Sequence, residues 1–112
     1  MWWNKPYVNR RDWILENLGV LDLTTDQIVV LLMIDYLNVN NIAIDPKVLS
    51  DRTNIAMDKI DSILHNLVRQ NILQIKAEKD RIEFDIGNLF EEGLRYEYVD
   101  ENIFEVFESE LA

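Results

Sequence analysis

The sequence predicts a mainly α-helical fold with a small β-hairpin, and three stretches predict it. Met57, Ile60, Ile63, Leu64, Leu67 and Val68 recur at helical spacing while Asp58, Ser62, His65, Asn66 and Arg69 fill the other side, which reads as an amphipathic helix from Met57 to Asn71. Directly after it come two short alternating runs, Ile72, Leu73, Ile75 and Ile82, Phe84, Ile86, separated by the polar turn Glu78 to Arg81; these read as a hairpin. Before it stand a shorter helix and a tight turn. A helix, a turn, a longer helix and a two-stranded wing, in that order, are the parts of a winged helix-turn-helix, here with an extra N-terminal arm and C-terminal helices.

Length allows one domain. A chain of 112 residues buries about 65% of the surface it exposes when unfolded. The expected division is an aromatic arm over residues 1–9, a winged-helix core over 10–86 and a helical extension over 87–112. The chain has no cysteine, which removes disulfides, thiolate metal sites and thiol nucleophiles together and fits a cytoplasmic protein. Its longest apolar run, Ile28 to Ile34, is seven residues, against about 18 for a membrane span. No charged-then-apolar leader opens the chain, so a soluble protein is expected. Residues 1–76 carry eight basic and nine acidic side chains, whereas residues 77–112 carry three and twelve. Acid concentrated in this way repels a phosphate backbone, and a nucleic-acid binder ordinarily shows a basic patch.

Taken in order, Trp2, Trp3 and Tyr7 lie around Pro6, which disfavours helix, so three large aromatics sit on an extended arm. Such an arm docks either on its own domain or on a second copy of the chain. Arg10 to Leu18 is expected to form a short helix with Trp13, Ile14 and Leu18 inward, stopped by Gly19. Thr24 to Gln27 fits a capping box, with Leu23 able to staple against Ile28. From Ile28 to Leu37 every residue but Asp35 is apolar or tyrosine, so this helix lacks a broad polar side and needs cover on more than one side. That pattern is the intrinsic argument for self-association. Asp35 is expected at an edge or in an ion pair. Ile42, Ala43 and Ile44 can supply a third strand. Asp45 then caps a helix with Pro46 at its first position, closed by Thr53 and Asn54. Beyond the hairpin, Asn88 is expected to cap a helix holding Leu89, Phe90 and Leu94. Asp100 and Glu101 open another with Ile103, Phe104, Phe107 and Leu111 inward.

Enzyme signatures are missing. The three glycines, Gly19, Gly87 and Gly93, form no phosphate-cradling loop or nucleophile elbow. The one histidine, His65, has no second histidine or cysteine with which to hold a metal or activate a nucleophile. No catalytic residue, cofactor or metal is therefore expected.

Leu18-Gly19-Val20, the capped run Thr24 to Ile34, Pro46 to Ser50, the helix Ile60 to Val68 and Leu89 to Glu92 together resemble the N-terminal domain of DnaD-like replication proteins. The closing Phe107 to Ala112 resembles the segment that leads into that family's second domain. Asn71 stands where the family usually has a glycine, and the double-tryptophan arm has no counterpart in it. The resemblance implies a winged-helix domain of a bacterial primosome component, acting in replication initiation or restart and in helicase loading. It also implies that the chain is the N-terminal part of a longer protein. In that family the N-terminal domain self-associates and contacts other replication-initiation proteins, while much of the DNA binding belongs to the second domain. The expectation is thus a homo-oligomer, dimer or tetramer, with Trp2, Trp3, Tyr7, Val29, Met33 and Tyr36 at its interface. Lys59, Ser62, Asn66 and Arg69 are assigned to a protein partner, and DNA binding by this domain alone is expected to be weak or absent. The alternative is a winged-helix DNA-binding transcription regulator that lays the Ser62 side of the long helix in a major groove. Against it, Met57 to Asn71 balances Asp58 and Asp61 with Lys59 and Arg69.

Overall fold

The computed structural model describes residues 9–91. Among them the elements are α1 (Arg10–Glu16), α2 (Leu18–Leu21), α3 (Thr25–Val39), α4 (Pro46–Thr53), α5 (Met57–Arg69), β1 (Gln74–Glu78) and β2 (Arg81–Asp85). Residues 87–91 are helical. The chain is mainly helical, with one two-stranded antiparallel sheet among the described residues. The arm residues Trp2, Trp3 and Tyr7, and the helices expected around Leu94 and Ile103, lie outside the described residues.

α3 is the central helix. Thr24 accepts the Gln27 amide and Gln27 returns a carbonyl to the Thr24 amide, so the expected capping box is formed. α3 runs to Val39, buries Val30, Leu31, Ile34 and Leu37, and is packed by α1, α4 and α5. Asp45 caps α4 through the Val48 amide at 2.8 Å, with Pro46 in the first turn. α5 follows Ala56, which offers no side-chain cap, and buries Ile60, Ile63, Leu64 and Leu67 in the same cluster as Leu49 and Ile14. The rings of Trp13 and Phe90 meet edge to face at 5.1 Å, joining α1 to the helical residues after the hairpin.

Several expectations are corrected. α1 stops at Glu16, two residues early, because the Asn17 side chain and amide both return to the Trp13 carbonyl. Gly19 is no stop: it sits inside α2 with an ordinary φ, and Asp22 at φ 52° ends that turn instead, leaving Leu18 exposed. The apolar stripe of α5 is narrower than its spacing suggests. Met57 and Val68 fall at its margin, beside Asp61, and are nearly half exposed. Ile72, Leu73 and Ile86 are buried but flank the strands rather than belong to them. Asn88 lies within the helical residues, and the Asp85 carboxylate takes the Gly87 amide at 2.8 Å in its place.

The third strand does not form. Asn41 takes φ 54°, and the Ile42 N–H turns back to the Leu37 carbonyl at 2.9 Å, so the first residue of the expected strand has spent its donor on closing α3. On the other side Asn38 Nδ2 donates to the Phe84 carbonyl at 2.8 Å, where a third strand would have offered an amide. The hairpin pairs Ile75 with Phe84 and Ala77 with Ile82. These four side chains share one face, of which Phe84 reaches the core while Ile82 stays 61% exposed.

Candidate interaction surfaces

α3 inverts the usual distribution of charge on a surface helix. Asp35, its one charge between Gln27 and Leu37, is turned inward at 3% exposure and takes Arg10 Nε at 2.8 Å. The ion pair expected of Asp35 is present. On the side away from the core, Val29, Met33 and Tyr36 follow one another at i, i+4 and i+7, with Val29 36% and Tyr36 38% exposed and Met33 half-buried. Val39, 51% exposed, extends the row by a further i+3 step; this position was legible in the spacing and was missed. Leu15, Leu18 and Val20 are exposed on α1 and α2. Single exposed apolar residues are ordinary, but a helix whose solvent side is apolar over three turns is not.

α5 presents the second surface. Lys59, Ser62, Asn66 and Arg69 are all exposed and share one side of the helix. Of their two charges, that of Lys59 is paired within the domain and that of Arg69 meets a neutral amide. Lys59 Nζ lies 3.6 Å from Asp26 in the first turn of α3, and the Arg69 guanidinium donates to Asn66 Oδ1 at 3.0 Å. In the hairpin, Lys76 pairs with Asp85 at 3.3 Å. The two exposed ion pairs, Lys59 with Asp26 and Lys76 with Asp85, contribute little stability but do lower the local positive field.

A cleft of about 1000 Å³ opens between residues 41–44 and β2, with Arg10, Asp35 and Phe90 also in its walls. Sequence reasoning missed it, having filled the gap with a third strand. Among the described residues, no three His, Cys, Asp or Glu side chains converge as a metal site requires, and no helix is long and apolar enough to cross a membrane. Comparison with protein-family models and with curated proteins returned no match.

Proposed function

We propose that this domain is a winged helix-turn-helix used as a self-associating, protein-binding scaffold, the role that the DnaD-like resemblance implies in a bacterial primosome. In this reading α4 and α5 are the helix-turn-helix, the hairpin is the wing, and the domain serves replication initiation or restart and helicase loading in the cytoplasm. The order of the elements and the packing of α5 on α3 and α4 support the architecture. The observation that carries the function is the apolar outer side of α3, where Val29, Met33 and Tyr36 offer a second copy a surface free of charge. Trp2, Trp3 and Tyr7 add aromatic area to the assembly, whether each arm rests on its own copy or reaches another. The outer side of α5, with Ser62 between Lys59 and Arg69, is left for a replication-initiation partner.

The regulator reading needs α5 to track phosphates. Lys59 and Lys76 are turned to Asp26 and Asp85, and Glu78 and Asp80 alternate with Lys79 and Arg81 around the hairpin turn. That balance favours a protein partner over DNA. Fluorescence anisotropy with duplex and single-stranded oligonucleotides across a salt series tests the choice. Weak, salt-sensitive binding is expected. Tight sequence-specific binding at physiological salt, lost on Arg69→Ala, would overturn the scaffold in favour of a transcription regulator.

A further inference from the structure

We draw no further inference here: the strongest candidate, the apolar face of the hairpin on which Ile75 and Ile82 are exposed among the described residues, carries none because nothing in the structure shows what covers it.

Discussion

Among the described residues, three helices are closed by an asparagine in the left-handed region, at the C-cap or one residue past it, and an isoleucine follows each one. Asn41, Asn54 and Asn71 have φ of 54°, 58° and 63°. After the first and third, the Ile42 and Ile72 amides reach back to the Leu37 and Leu67 carbonyls at 2.9 and 3.0 Å, satisfying groups that a helix end otherwise leaves bare. Each isoleucine then packs against the core. Asparagine bears this conformation better than other side chains, so Asn41→Ala, Asn54→Ala and Asn71→Ala should each cost about 1 kcal/mol while the glycine variants stay near neutral. Urea midpoints of the six variants check this. Arg10 and Asp35 give an asymmetric pair. Arg10→Ala leaves a buried carboxylate without its 2.8 Å partner and should cost about 3 kcal/mol. Asp35→Ala removes the buried carboxylate itself and leaves a guanidinium that already reaches water, so it should cost less in the same assay. Asn54 and Asn71 were legible as helix ends because the apolar spacing stops beside them. Gly19 misled because Asn17 had already taken the Trp13 carbonyl. The Arg10 contact crosses from one helix to another, which spacing along one helix does not reveal.

At the level of elements, the strongest periodicity gave the most faithful reading. α5 buries four of its apolar positions on one side, so Leu64→Ala should cost roughly 2 to 5 kcal/mol. Ser62→Ala on the outer side should stay within about 0.5 kcal/mol. Met57→Ala, which the spacing alone would have grouped with Leu64, should behave more like Ser62→Ala because Met57 is nearly half exposed. Equal denaturation midpoints for the Leu64 and Ser62 variants would contradict this assignment of faces. The hairpin was legible as an alternation but not in its depth. Of the one face shared by Ile75, Ala77, Ile82 and Phe84, only Phe84 is buried, since the strands run past the body of the domain. The expected third strand failed for a reason that lies in the closure of α3. Its first amide is bonded to Leu37, and Asn38 fills the place on β2 that it would have taken.

At the scale of the whole molecule, two features pull away from DNA and towards self-association. The formal charge is −10, and Lys59 and Lys76, on the faces that would meet a groove, are set against Asp26 and Asp85. The central helix hides its one mid-helix charge and turns Val29, Met33 and Tyr36 outward. That second feature was legible in the sequence as a helix without a polar side. Its direction was not, since a run of apolar residues does not say which of them the core takes. Buried aromatic anchors dominate many interfaces, and a carboxylate placed among them is left without a partner. The most direct measurement is the molar mass in solution by light scattering over a concentration series, for the natural chain and for Tyr36→Glu. Tyr36 is exposed in the single chain, so this variant should fold. The account predicts a dimer or tetramer for the natural chain and a shift of at least tenfold in dissociation constant, about 1.4 kcal/mol, for the variant. A natural chain that remains a monomer at the highest concentration would contradict it.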